Sequence, residues 1–361
     1  MAAELSPTLS KSIFEGAGGS YATWSGADLP LLTDAKLGGG KLVLKPLGLA
    51  LPHYSDSSKV GYVLEGRAVV GLTLYGETKQ RILLLEKGDV VALVMGSLTW
   101  WYNEEEDSDF SIAFLGDTAT AVRPGDIAYF FLAGSLGVLH GFSTEFLSRA
   151  CGIRDAEAEE LFGSQPGALI ITLQQKLPGL RASRADSEGI VVNAERVAAY
   201  IDVKSGGCAA SVTRDELAAL GGFRFSVDLI RLEPNAVRLP GFFVDAAVQL
   251  IYVAKGSGRV QIAGTDGNRA LDAEVKEGYL FGLPKFFAMS VIAGGEGMEW
   301  FSIITSPRPA FEQLTGRTSE LNMLPSQILE SSLNVTPDLV KLLKTNGSAH
   351  DVFAPPSQTR N

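Results

Sequence analysis

The sequence predicts an all-β fold in which one β-barrel unit is used twice. Three short motifs return along the chain at an offset of 190 or 191 residues, and such a constant spacing indicates an internal repeat. Helical patterns follow each group of strands instead of alternating with them, which argues against a parallel α/β sheet. The repeated pairs are Tyr62-Val-Leu-Glu-Gly with Tyr252-Val-Ala-Lys-Gly, Lys87-Gly with Glu277-Gly, and Phe110-Ser-Ile with Phe301-Ser-Ile.

Short apolar segments rich in Val, Ile, Leu and aromatic residues predict the strands, and turn residues separate them. A Thr-Asp-Gly-Asn sequence at 265–268 predicts a tight hairpin in the second unit. In the first unit the predicted strands are 41–45, 60–64, 68–74, 81–85, 89–94 and 110–115. The predicted helices are 143–150 and 155–163 after the first unit, and 311–315, 325–333 and 336–344 after the second.

These patterns divide the chain into two domains, each with a helical extension. We predict a first domain at 1–162, a linker at 163–193, a second domain at 194–345 and a flexible tail at 346–361. With 361 residues, 46% of them apolar, the chain can bury a large core without metal or disulfide bonds.

Charge and composition exclude several classes of partner. The net charge is −10 and no Lys/Arg-rich run occurs, so nucleic acid is not an expected partner. No apolar stretch is long enough to cross a bilayer, and the N-terminus lacks the pattern of a secretory signal, so no membrane association is expected. Cys151 and Cys208 are interpreted as unpaired thiols. Together these features predict a cytoplasmic protein.

Three segments of the chain, residues 51–66, 131–147 and 314–329, carry a family resemblance. They resemble the legumin-type 11S seed globulins, which are bicupins. The resemblance extends from about residue 10 to residue 345, and it is closest to plant legumin-like cupins that lack a signal peptide. It implies a double-stranded β-helix, the jelly-roll cupin barrel, repeated twice, a non-enzymatic storage-type (nutrient reservoir) function, and a homo-oligomer that is a trimer.

The sequence also departs from the vacuolar members of that family. They are similar in fold but carry a signal peptide, paired cysteines and an Asn-Gly processing site, whereas this chain reads Val191-Val-Asn-Ala near the expected junction. The long Gln/Glu-rich insertions of storage legumins are missing too. We therefore expect a storage-type protein without vacuolar targeting.

The resemblance to cupins also locates the positions at which a metal would be held. Such sites need about three imidazoles and one carboxylate, and the chain has three histidines in all, His53, His140 and His350. No metal, no other cofactor and no catalytic residue is therefore expected. The implied ligand positions are His53, Ser55, Lys59 or Val60, and Thr99 in the first unit, and Gly241, Phe243, Gln249 and Met289 in the second.

An alternative function is small-molecule binding, or a metal-independent isomerase or lyase reaction, in the first unit. Strand alternation points Thr99, Trp101 and Asn103 to one face, and with His53 they form the candidate ligand pocket. Packing of Trp101 in an ordinary core is the competing interpretation. In the second unit the interior residues Phe243, Phe287 and Met289 predict a filled apolar core.

Overall fold

The first domain consists of two antiparallel sheets that face each other. The computed structural model describes residues 5–134, 136–165, 167, 169–347 and 349–356, the side chain of Arg184 excepted. The elements up to residue 193 are β1 (Thr8–Leu9), β2 (Lys11–Gly16), β3 (Gly19–Trp24), α1 (Pro30–Ala35), β4 (Leu37–Leu44), β5 (Gly48–Ser55), β6 (Ser58–Glu65), β7 (Arg67–Thr73), β8 (Arg81–Glu86), β9 (Asp89–Leu93), β10 (Leu98–Tyr102), β11 (Phe110–Asp117), β12 (Tyr129–Phe131), α2 (Thr144–Cys151), α3 (Asp155–Gly163), β13 (Ile170–Thr172), α4 (Arg184–Ser187) and β14 (Val191–Asn193).

The two sheets of the first domain enclose its core. One sheet has the order β12-β5-β10-β7-β8, with β13 also paired to β5, and the other has the order β14-β9-β6-β11-β4-β3-β2. Alternate residues of these strands turn inward, among them Val63, Val70 and Phe110. The sheets are packed as a jelly roll and are not closed into a barrel, which refines the predicted architecture.

The second domain repeats this arrangement in one larger sheet. Its elements are β15 (Ile201–Val203), β16 (Gly207–Val212), β17 (Ser226–Leu232), β18 (Val237–Phe243), β19 (Gln249–Ala263), β20 (Arg269–Lys276), β21 (Tyr279–Leu283), β22 (Ala288–Ile304), β23 (Phe311–Gln313), α5 (Glu320–Met323), α6 (Ser326–Leu333), α7 (Pro337–Gly347) and β24 (Phe353–Ala354). Short 3₁₀ turns lie at Val138–Gly141, Ala194–Arg196 and Ala218–Gly222. The order is β1-β21-β19-β22-β17-β16-β15, with β18 on β22 and β20 on β19.

The internal repeat is confirmed in the backbone. The long strands β19 and β22 correspond to the pairs β6 with β7 and β10 with β11, which are separate strands in the first domain. Gly88 and Gly278, 190 residues apart, have φ of 85° and 88°. This left-handed conformation favours glycine because a Cβ would be strained there.

The domains pack through equivalent residues of the repeat. Tyr62 stacks on Phe301 with ring centroids 5.3 Å apart, while Tyr252 meets Trp24 edge to face at 5.6 Å. The N-terminal strand β1 pairs with β21, so the beginning of the chain extends the sheet of the second domain. One large apolar core consequently includes residues of both domains.

Three predicted segments differ from the structure. The predicted linker 163–193 supplies β13 and β14, which pair with β5 and β9 and complete the first domain. The predicted tail includes β24, where Phe353 is fully buried against β18. The helix predicted at 311–315 is the strand β23, paired with β18. In each case the partner strand determines the structure, because two or three residues carry too little propensity of their own.

Within the described residues, no helix combines the length and apolarity needed to cross a membrane. Cys151 is exposed and Cys208 half-buried, and both thiols are free.

A candidate ligand cavity in the first domain

A cavity of about 290 Å³ lies between the two sheets of the first domain. Apolar side chains from both sheets form most of its wall, and the exposed side chains of Ile13 and Leu136 lie at its rim. Its volume is at the lower end of the common range for ligand sites, roughly 300 Å³ upward. The cavity therefore suits a small, mainly apolar molecule.

Three of the four predicted pocket residues form a hydrogen-bonded chain in this wall. Trp101 Nε1 donates to Thr99 Oγ1 at 3.3 Å, and the Thr99 hydroxyl lies 3.4 Å from His53 Nε2. On its other side, His53 Nδ1 donates to the Leu51 carbonyl at 2.7 Å. This last contact assigns the proton to Nδ1 and leaves Nε2 to accept from Thr99. β5 and β10 bring these residues together because His53 pairs with Thr99 across the sheet.

His53 is neutral in this setting. Its pKa is lowered to about 4, because burial, with a smaller contribution from the positive charge of Lys59, outweighs the opposing effect of the hydrogen bond to the Leu51 carbonyl. Its ring also contacts the rings of Tyr129 and Phe131, with centroids 5.5 and 5.1 Å away. His53 is thus a fixed, uncharged part of the cavity wall at neutral pH.

Asn103, the fourth predicted pocket residue, lies outside the cavity. It follows the last residue of β10, so strand alternation does not extend to it. Its side chain donates to the carbonyls of Leu44 and Ser108, and its oxygen accepts from the Glu105 amide at 3.0 Å. Asn103 is completely buried and holds the turn after the strand. The expectation that it faces the ligand pocket is therefore wrong.

Lys59 also lines the cavity, although it was not among the four predicted pocket residues. Its side chain is 5% exposed, and Nζ donates to Ser55 Oγ at 2.6 Å. Nζ also lies 4.6 Å from the ring centroid of Tyr129 and 5.8 Å from that of Phe114. Burial lowers the pKa of Lys59 to about 7, and Asp56 opposes this shift only in part. The sequence did give one indication of its role, because Lys59 or Val60 lies at a position where the resemblance to cupins implies a metal ligand.

Two tyrosines complete the polar part of the wall. The hydroxyls of Tyr21 and Tyr129 are hydrogen-bonded to each other, and their rings meet edge to face at 5.0 Å. Burial raises the pKa of both phenols, so both are protonated at neutral pH. Tyr129 therefore presents its ring to the Lys59 amine while its hydroxyl is bonded to Tyr21.

The donor set does not fit a cupin metal. At the implied ligand positions only His53 carries a nitrogen or oxygen that suits a transition metal, since the others are a serine, a lysine and a threonine. Across the described residues, no group of three or more His, Cys, Asp or Glu side chains is placed to hold an ion.

The second domain contains a cavity at the equivalent place, against the prediction of a filled apolar core. It has a volume of about 460 Å³, and its wall includes Tyr200, Asp228, Arg238 and Phe311. Arg238 is 3% exposed, its guanidinium lies 4.3 Å from the Phe311 ring centroid, and its Nε and Nη1 have no hydrogen-bond partner. The prediction failed because it considered strands β18 and β22 alone, whereas these polar groups come also from β17 and from the residue before β15.

Comparisons with known proteins agree with this architecture. The family model described as cupin matches residues 6–159 and 197–341. Cocosin 1 of Cocos nucifera is 27% identical over 88% of this chain and 81% of its own. The 11S globulin seed storage protein Ana o 2.0101 of Anacardium occidentale is 24% identical over 84% of this chain and 81% of its own. The crystal structure of coconut cocosin superposes with a TM-score of 0.88 at 26% identity, covering 98% of this chain and 99% of that one.

Proposed function

The chain belongs to the cupin family, as a bicupin of the legumin-type 11S globulin kind, and on this premise we propose that it is a non-enzymatic nutrient reservoir. The similarity to a seed storage protein across both domains carries this proposal. Quantitative mass spectrometry of the source tissue tests it. The amount of the chain should rise while reserves accumulate and fall when they are mobilised, whereas a constant low amount would contradict storage.

Assembly into a trimer is part of this proposal. Large apolar side chains are exposed on helices that follow both domains, for example Phe146 on α2 and Leu342 on α7, at 68% and 54% exposure. Exposed apolar faces of this kind mark interaction surfaces. Two different faces on one chain suit a head-to-tail contact, and such contacts form a ring when the rotation between subunits closes. Further exposed members of these faces are Leu161, Ile328, Leu333 and Leu339.

Light scattering on the purified chain tests the assembly. We expect three times the 38.3 kDa chain mass for the wild type, and the single-chain mass for the double variant Phe146→Asp with Leu342→Asp. Val122→Asp, which introduces one aspartate at an exposed loop residue away from these helices, is the control and should remain trimeric. A monomeric wild type at micromolar concentration would overturn the trimer.

A reducing location, the cytoplasm, also belongs to the proposal. The support is that Cys151 and Cys208 are both unpaired thiols, which suits a reducing compartment. Imaging of the natural full-length protein with a C-terminal fluorescent tag tests this, and signal in the vacuole or outside the cell would contradict it.

Small-molecule binding in the first domain is the second candidate function, with a metal-independent isomerase or lyase as its catalytic form. The observation that favours it is the cavity with Lys59, His53 and Tyr129 in an apolar wall. Toluene, as a small apolar probe, should raise the melting temperature. His53→Phe should change that shift, and Phe281→Leu, at a buried residue of the second domain that lines neither cavity, should not. No shift in the wild type would mean that the cavity is a packing gap.

A further inference from the structure

We propose that Lys59 is an amine nucleophile that captures small apolar aldehydes in the first-domain cavity as an imine. This inference rests on the second candidate function, ligand binding in that cavity. It adds the identity of the reactive atom, Lys59 Nζ, and the chemical class of the ligand.

The geometry around Nζ leaves its lone pair available once the proton is lost. The one hydrogen bond of Nζ goes to Ser55 Oγ, and the described residues provide no ion pair to it. Asp56, the nearest acidic neighbour along the chain, accepts hydrogen bonds from the amides of Val122 and Ala128 and from the Ser57 hydroxyl. Asp56 is therefore committed to the loop before β12 and, within the described residues, forms no ion pair with the amine.

The surroundings favour the neutral amine at physiological pH. Burial lowers the pKa of Lys59 to about 7 from the ordinary lysine value of 10.5, and an amine of that pKa is about half deprotonated at neutral pH. The other titratable groups that face it are His53, Tyr21 and Tyr129, all uncharged at this pH, while Asp56 acts in the opposite direction. A buried lysine with a lowered pKa is the usual form of an imine-forming residue.

The reaction balances without another reactant. The Nζ lone pair attacks the aldehyde carbon, the carbonyl π electrons move to oxygen, and one proton passes from nitrogen to that oxygen to give a carbinolamine. The nitrogen lone pair then expels the protonated hydroxyl as water, and loss of the second nitrogen proton leaves a C=N bond. One amine and one aldehyde thus give one imine and one water. The apolar wall opposes hydrolysis of the imine by limiting water.

The cavity selects the kind of aldehyde. A volume of about 290 Å³ admits a small molecule, and the rings of Phe114, Tyr129 and Phe131 favour an aromatic or short aliphatic group. The second domain cannot perform this chemistry at the equivalent place, because Gln249 occupies the position of Lys59. The site is therefore specific to the first domain.

Reductive trapping tests the proposal on the wild-type chain. Benzaldehyde with sodium cyanoborohydride at pH 7 should convert Lys59 to a benzyl-lysine, which peptide mass spectrometry locates. Because burial lowers the pKa of Lys59 to about 7, we expect Lys59 to react at least about tenfold faster than the exposed Lys79 and Lys204. Equal or slower labelling of Lys59 would overturn the proposal.

Two controls separate this proposal from ligand binding itself. Lys59→Met keeps the apolar stem, so it should still unfold cooperatively in urea, but it should lose the selective adduct. If toluene stabilises the wild type while benzaldehyde gives no selective adduct at Lys59, the imine is wrong and the binding cavity stands. If neither compound shifts the melting temperature and no adduct forms, both proposals fail.

Discussion

The two cavities occupy the same place in the repeated fold, but different polar side chains line them. In the first domain, His53 pairs with Thr99 across the sheet and Lys59 pairs with Leu93. At the equivalent positions of the second domain, which do not line its cavity, Gly241 pairs with Met289 and Gln249 with Leu283. The registers match, whereas the chemistry does not.

The buried basic side chains of the two cavities, Lys59 and Arg238, differ in whether they can lose their charge. Lys59 can lose its proton, and burial lowers its pKa to about 7. Arg238 keeps its charge because a guanidinium is not deprotonated in proteins, and it stacks on Phe311 with Asp228 and Tyr200 nearby. Both domains therefore contain a cavity at the same place, but a lysine amine occurs at this position only in the first domain, as Lys59.

The aromatic wall of the first cavity gives the largest expected effect. Trp101 is 1% exposed and packs edge to face on Phe114 at 5.4 Å, so Trp101→Ala should cost about 3–5 kcal/mol in the free energy of unfolding. Val291 is the equivalent residue of the second domain, and Val291→Ala should cost about 1–2 kcal/mol. Urea unfolding measures both. Equal losses would show that the first cavity does not depend on its tryptophan.

Lys59→Met should stabilise the protein at pH 7. Lys59 has a pKa of about 7 when folded and about 10.4 when unfolded, so between these values the unfolded chain binds more protons and wild-type stability rises with pH. The variant lacks this dependence. We expect it to be more stable by a few kcal/mol at pH 7, and the difference to fade toward pH 10.

Gln249→Met is the matched control for that change. It makes the same side chain at the equivalent, fully buried position of the second domain, but it removes no titratable group. Its effect on the unfolding free energy should be constant from pH 7 to 10. A parallel pH dependence in both variants would show that Lys59 is not the source.

Asp228 should give the reverse pH dependence in the second domain. Burial raises its pKa to about 6, above the unfolded value of about 3.9, so the folded state binds more protons between pH 4 and 6 and loses stability as pH rises through that window. Asp228→Asn removes this loss, which is on the order of 2 kcal/mol at pH 7. Unfolding free energies measured from pH 4 to 8 test it.

Asp272→Asn provides a control of opposite sign. Hydrogen bonds from Arg259 hold the pKa of the Asp272 carboxyl at about 2, so its contribution is present above pH 4 and is lost as pH falls toward 2. The two substitutions, Asp228→Asn and Asp272→Asn, should therefore change the pH dependence of the unfolding free energy at acidic pH in opposite directions. The same direction for both would contradict the assignment for Asp228.

The features that could be predicted from the sequence are those that depend on regular strand patterns. The repeat follows from the constant spacing of three motifs, and the shared face of Thr99 and Trp101 follows from strand alternation, whereas the place of His53 beside them was implied by the resemblance to cupins. Lys59 was missed because a lysine normally marks a solvated position, whereas here it shares its strand face with Val63 of the core. Strand β14 and the buried Phe353 were missed because their stability comes from distant partners.

Thr99→Val gives the smallest expected effect and tests the hydrogen-bonded chain of the first cavity. The change keeps the side-chain shape but leaves Trp101 Nε1 and His53 Nε2 without their partner, which should cost about 1–2 kcal/mol in urea unfolding. Thr99→Ser keeps the hydroxyl and should cost less. NMR titration should find the pKa of His53 still near 4 in both variants, because burial and not Thr99 is its main cause. If Thr99→Val returned that pKa to its ordinary value, the cavity would be open to water, and its apolar character, the basis of the contrast with the second domain, would be lost.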